Sequence, residues 1–215
     1  MKVIVTRPRE QAPALVERLE KLGHDVVVCP LIEVVPLGDG PVDTSAYDWV
    51  VVTSANGASE LARRRAGTLQ RVAAVGGGTA AALRERGITV DLVPAVSTQE
   101  GLLAEFPRPP GRVLFAGAEG ARRLLVDALG ADFVPLYRTV SVSPDDPPEG
   151  DLAIVASAST AHAFAALGRP LPVVSIGPQT TKAARAAGLE VVAEACPHDV
   201  DGLVAAVEHV AAAFR

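Results

Sequence analysis

The stretch that most constrains this chain is Val173-Val-Ser-Ile-Gly177-Pro-Gln-Thr180, in which a short apolar run stops at a glycine. A helix-forming run follows at once and ends at Gly188. A strand, a glycine turn and a helix start leave backbone N–H groups free, which suits an anionic ligand. The same arrangement stands 101 positions earlier: Gly177 maps onto Gly76, Thr180 onto Thr79, Gly188 onto Gly87 and Gly202 onto Gly101. A second echo, at 103 positions, relates Asp48, Ser54-Ala55 and Ala58 to Asp151, Ser157-Ala158 and Ala161. Two collinear echoes imply a duplicated architecture.

The chain in order supports this. Val3–Val5 reads as a strand, Pro8 opens a helix with Leu15, Leu19 and Leu22 at helical spacing, and Val26–Cys29 is a second strand running on into Leu31–Val35. After the Gly38–Pro41 linker come a strand at Asp48–Val52, a helix near 57–65, a strand at Val72–Val75, a helix at 79–86 and a short strand at 90–93. Ser97-Thr98 then caps a helix carrying Leu102, Leu103 and Phe106. The second half repeats that order from Arg112, with a linker at Pro144–Gly150 and a last helix whose stripe is Leu203, Val207, Val210 and Phe214. Alternating strands and helices predict α/β architecture with parallel sheets flanked by helices.

Composition narrows the class. Apolar residues make up 49% of the chain and aromatics only 4%, so the core is built from Val, Leu and Ala, as in sheets covered on both faces. A formal charge of −5 argues against nucleic-acid binding. Arg63-Arg64-Arg65 reads as a solvated helix face. Cys29 and Cys196, far apart, read as buried, reduced thiols. No apolar run approaches the roughly 18 residues of a membrane span. The N-terminal residues enter a strand with no signal pattern, so a cytoplasmic protein is expected.

In open parallel sheets, ligands bind beyond the carboxyl ends of strands. Six such turns stand out: Thr6-Arg7, Thr53-Ser54-Asn56, Gly76-Gly78-Thr79, Gly117-Gly120, Ser157-Ser159-Thr160 and Gly177-Gln179-Thr180-Thr181. They are rich in hydroxyls and glycines and poor in catalytic groups. Each hydroxyl can equally be a plain helix cap. Dinucleotide binding is disfavoured, because Gly76-Gly-Gly78 is not the first βα turn and no acidic residue ends a strand about 20 residues later. No GK[ST] and no GxSxG pattern occurs. His24, His162, His198 and His209 are scattered and read as solvated side chains, without a metal-ligand set. Tyr137, one of two tyrosines, is open to a core or a site role.

Ser175-Ile-Gly-Pro-Gln-Thr180-Thr-Lys-Ala183 with Gly188 and Asp201-Gly-Leu203 resembles uroporphyrinogen-III synthases. So do Val5-Thr-Arg-Pro8, Pro30-Leu-Ile-Glu-Val34, Asp48-Trp49 through Ser54-Ala-Asn56-Gly57, Val75-Gly76 with Thr79, and Leu136-Tyr-Arg-Thr139. The resemblance implies two α/β lobes: residues 1–36 with 143–215, and 37–142, joined by extended connectors near 31–36 and 134–142. It also implies cofactor-free closure of linear hydroxymethylbilane to uroporphyrinogen III, with loss of water and inversion of ring D through a spiro intermediate. Such chemistry asks mainly for positioning. Tyr137 then corresponds to the family's tyrosine near the leaving hydroxyl, a proton donor. Ser54, Asn56, Thr79, Ser157, Ser159 and Thr180 fall on turns that the family uses for the substrate's carboxylates, and Thr6, Arg7, Thr53, Gly76, Thr160, Gly177 and Gln179, on the same set of strand-end turns, are expected to bind substrate with them. The expected partner is that small molecule alone, with no metal, nucleic acid or membrane, and the protein is expected to be a monomer. The alternative is a two-lobed binding or sensor protein for an anionic metabolite, without catalysis.

Overall fold

A computed structural model describes residues 1–213 and divides into two compact units. Unit 1 comprises Met1–Glu33 and Val140–Arg215, and unit 2 comprises Val34–Thr139. Phe214, expected in the stripe of the last helix, lies outside the described residues. In chain order the strands are β1 (Lys2–Val5), β2 (Asp25–Val28), β3 (Ile32–Pro36), β4 (Val42–Asp43), β5 (Trp49–Val52), β6 (Arg65–Ala66), β7 (Val72–Ala74), β8 (Val113–Ala118), β9 (Asp132–Ser141), β10 (Leu152–Val155), β11 (Val173–Ser175) and β12 (Val191–Glu194). The helices are α1 (Pro13–Lys21), α2 (Ala55–Arg64), α3 (Gly77–Arg84), α4 (Gln99–Glu105), α5 (Leu124–Leu129), α6 (Ala158–Ala166), α7 (Pro178–Ala186) and α8 (Val200–Ala213).

Unit 1 is built on the sheet order β12-β11-β10-β1-β2, with every pair parallel. Alternate residues of β1 feed two cores, as the pleat requires. Val3 and Val5 join Leu15 and Leu19 of α1 and Leu203 and Val207 of α8. Ile4 joins Ala161 and Phe164 of α6 and Ala184 of α7 on the other face.

Unit 2 uses the sheet β3-β9-β8-β5-β7, in which β9, β8, β5 and β7 run parallel. Val50 and Val52 pack with Leu61 and Leu83 from α2 and α3. Trp49 and Val51 pack with Leu102 and Leu125 from α4 and α5. The short β4 and β6 pair apart from this sheet.

The duplication is visible in bonds. Asp48 Oδ2 accepts the Arg112 N–H at 2.7 Å, and Asp151 Oδ2 accepts the Lys2 N–H at 2.6 Å. Leu136 O accepts from Leu37 N, and Leu31 O from Val142 N, each at 2.8 Å. The Gly101 N–H bonds Thr98 Oγ1 at 3.0 Å, and the Gly202 N–H bonds Asp199 Oδ1 at 2.9 Å. A Cβ on Gly101 or Gly202 would collide with the carbonyl oxygen of Val96 or Pro197. Each unit therefore joins the first half of one repeat to the second half of the other.

Several expectations change. The strand expected at 90–93 is a single bridge, Leu92 to Ala73, because the Asp91 carboxylate takes the Val72 N–H at 2.8 Å. Pro8 opens only a 3-10 turn at Arg9–Gln11, and Leu22, at the end of α1, is 46% exposed rather than part of its stripe. His24 is not solvated: it is buried, with Nε2 2.6 Å from Glu208 Oε1, a partner far away in sequence. Cys29 is buried, but Cys196 is exposed in the loop before α8. Arg63 and Arg64 are more than a solvated face. They hold the 37–40 loop through Asp39 and the carbonyls of Gly38, Gly40 and Leu37.

Candidate functional site

The strand-end turns divide into capped and uncapped helix starts. Ser54 caps α2, accepting the Gly57 N–H at 3.0 Å, and Ser157 caps α6, accepting the Thr160 N–H at 3.1 Å. Thr160 Oγ1 in turn accepts the Ser157 N–H at 2.9 Å, a capping box with Thr160 buried. Much of the hydrogen-bonding capacity of these hydroxyls is therefore engaged within their own turns. By contrast, α3 and α7 start after Gly76 and Gly177 with no side-chain cap. Their first N–H groups remain available, and each helix start carries about half a positive charge.

Space requires glycine at position 76 and is tight at position 177. Both backbones are extended, a conformation open to any residue, but a Cβ on Gly76 would stand 2.9 Å from Ser97 Cβ. On Gly177 it would stand 3.2 Å from His198 Cγ. Thr79 and Thr180 are buried behind those turns, whereas Gln179 and Ser159 are exposed. Thr53 is half-buried beside Ser54.

In unit 2 the structure brings Tyr137, Ser54 and Asn56 together. The Tyr137 hydroxyl lies 2.8 Å from Ser54 Oγ. Burial pushes the phenol above the usual tyrosine range, and its hydrogen bonds with Ser54 and Asn56 pull it only partly back. The phenol therefore holds its proton more tightly than an exposed tyrosine does, and it faces its partners as a neutral O–H group. The register between β8 and β9 shifts between Gly117 and Ala118, so that Ala118 faces Tyr137. That irregularity lets consecutive Leu136 and Tyr137 enter one core cluster instead of opposite faces.

In unit 1, Thr6 is fully buried and its hydroxyl donates to the Ile154 carbonyl at 2.7 Å, so its side chain ties β1 to β10. The adjacent Arg7 is half-buried, and burial lowers its affinity for its proton. No carboxylate among the described residues pairs with it. A desolvated guanidinium of this kind is suited to bidentate carboxylate binding. Ser175, Thr181 and Glu194 form a polar chain beside Gly177 that the motifs did not single out as a network. Comparing the two repeats position by position would have found it. Among the described residues no group of His, Cys, Asp or Glu side chains is placed to hold a metal ion, and no helix is long and apolar enough to cross a membrane.

Residues 13–205 match the family model described as Uroporphyrinogen-III synthase HemD. A porphyrin biosynthesis protein HemD of Ruminiclostridium josui is 32% identical over 90% of this chain, and the chain spans only 45% of that protein's length. A uroporphyrinogen-III synthase of Synechococcus elongatus is 27% identical over 96% of this chain and 94% of its own. The fold is that of a mutant uroporphyrinogen III synthase from Thermus thermophilus, with a TM-score of 0.64 at 18% identity over 100% of this chain and 98% of the other. The matched stretch takes in every strand except β1 and every turn described above except Thr6-Arg7, and on that match the chain belongs to the uroporphyrinogen-III synthase family.

Proposed function

We propose that this chain is a cytoplasmic, monomeric uroporphyrinogen-III synthase that cyclises hydroxymethylbilane, with inversion of ring D and loss of water. The observation that carries the reading is the neutral Tyr137 phenol held by Ser54 in a member of this family. Tyr137 lends its proton to the leaving hydroxyl as the C–O bond breaks, and water departs. The azafulvene cation is attacked by ring D at its substituted carbon, and the spiro intermediate fragments and recloses inverted. The proton released when the ring system regains aromaticity returns to Tyr137.

Binding has to overcome charge, because the substrate carries eight carboxylates and the protein has a formal charge of −5. Attraction therefore comes from short-range groups: the uncapped starts of α3 and α7, and the guanidinium of Arg7. Ser54 and Ser157 act chiefly by holding their turns, and Ser54 also orients Tyr137. The test is to supply freshly generated hydroxymethylbilane without metal or nucleotide and separate the products by chromatography. Isomer III is expected to predominate. A product mixture identical to spontaneous closure, rich in isomer I, removes the enzymatic reading and leaves a binding role.

A further inference from the structure

One polar chain in unit 1 has no counterpart in unit 2. Ser175, fully buried at the end of β11, lies 2.5 Å from Thr181 Oγ1 on α7. Thr181 donates to Glu194 Oε2 at the end of β12, so Ser175 donates to Thr181. The other Glu194 oxygen lies 3.8 Å from His198 Nε2, and the His198 ring lies against Gly177. Three hydrogen-bonded side chains thereby tie β11, α7 and β12 around the turn Gly177–Thr180, and the His198 ring packs on that turn.

The fold does not require this chain. At 101 positions earlier stand Ala74, Ala80, Val93 and Ser97. Ala74 and Ala80 are fully buried in an apolar cluster, and Val93 packs against it. The buried Ser175 and Thr181 hydroxyls cost desolvation that apolar side chains avoid, so fold stability alone does not explain their presence. A satisfied polar network does fix one geometry.

We propose that Ser175, Thr181, Glu194 and His198 are positioning residues that hold the backbone N–H groups of Gln179 and Thr180 in register for a substrate carboxylate. The identity of that anion rests on the synthase reading. The ordering of the turn does not.

The test replaces the chain with its unit 2 equivalents, Ser175→Ala, Thr181→Ala and Glu194→Val together, with Thr181→Ala alone as the milder variant and Thr181→Ser as the conservative one. KM for hydroxymethylbilane should rise about three- to tenfold, the loss of roughly one hydrogen bond, with kcat changed less than about twofold. Thr181→Ser should restore KM. Amide hydrogen exchange at position 181, whose N–H bonds the Gly177 carbonyl across the turn at 2.9 Å, should quicken in Thr181→Ala and stay slow in Thr181→Ser, each relative to its intrinsic rate. Wild-type KM and unchanged exchange in Thr181→Ala would overturn the proposal. If the wild-type protein forms no isomer III, the synthase reading falls and exchange alone decides: faster exchange supports the positioning role, and unchanged exchange removes it.

Discussion

Unit 1 and unit 2 share a strand order and place their polar groups differently. Reading along each sheet, β11, β10, β1 and β2 correspond to β7, β5, β8 and β9. Carrying the register across places Tyr137 of unit 2 where unit 1 has Ile32, 6% exposed in an apolar core. In the other direction, the buried Ser175 and Thr181 of unit 1 stand where unit 2 has Ala74 and Ala80. The groups that close the backbone are kept in both: Asp48 with Asp151, Ser54 with Ser157, and Gly101 with Gly202. Backbone closure is a demand of the fold, so both copies meet it. The phenol and the relay answer no such demand, and each occurs once.

The largest effect is expected where the units differ most. Tyr137→Phe should lower the rate of isomer III formation by about 10²-fold or more, with the melting temperature nearly unchanged. Ile32→Val, at the equivalent position, should leave the rate alone and cost about 1 kcal/mol of stability in a denaturant melt. A normal rate in Tyr137→Phe would remove the phenol from the chemistry and leave the units functionally alike.

Next come the shared glycines. Gly101→Ala and Gly202→Ala each drive a Cβ into a backbone carbonyl, and each should cost about 3 kcal/mol. Similar losses in the two melts would confirm that the copies use one backbone solution, and a harmless change in either would break the equivalence.

The two caps should separate the units more finely. Ser157→Ala should reduce activity less than about tenfold, since it removes a helix cap. Ser54→Ala should cost more, because Tyr137 loses one of its two hydrogen-bond partners as well. Ser157→Asp keeps a good cap but adds a negative charge, so it should harm activity more than Ser157→Ala while melting normally. Activity in the aspartate variant equal to wild type would argue against carboxylate binding near α6.

The smallest effect is spectroscopic. In a Tyr47→Phe background, absorbance titration should show Tyr137 ionising above the ordinary tyrosine value of about 10. The sign follows: a raised phenol pKa in the folded state gives stability that is present below that ordinary value and is lost as pH rises through the folded pKa. Ionisation at or below about 10 would contradict a buried, neutral donor.

The chain's alternation of strands and helices, its glycine turns and its duplication were legible because they are local. Val3–Val5 and Val50–Val52 show as apolar runs, and a glycine after a strand marks a turn wherever the strand ends up. The resemblance, too, drew on such short motifs, and it pointed to Tyr137 without showing what holds it. The tertiary structure decided what depends on distant partners. It made Leu92 a lone bridge, because Asp91 competes for the Val72 N–H. It buried His24 beneath Glu208 and joined the Tyr137 hydroxyl to Ser54 across 83 positions. It also engaged Ser157 as a cap while leaving the starts of α3 and α7 without one. Periodicity reports which face of an element is buried. Which other element covers that face, and whether a hydroxyl is already satisfied there, is set only by non-local pairing of the folded chain.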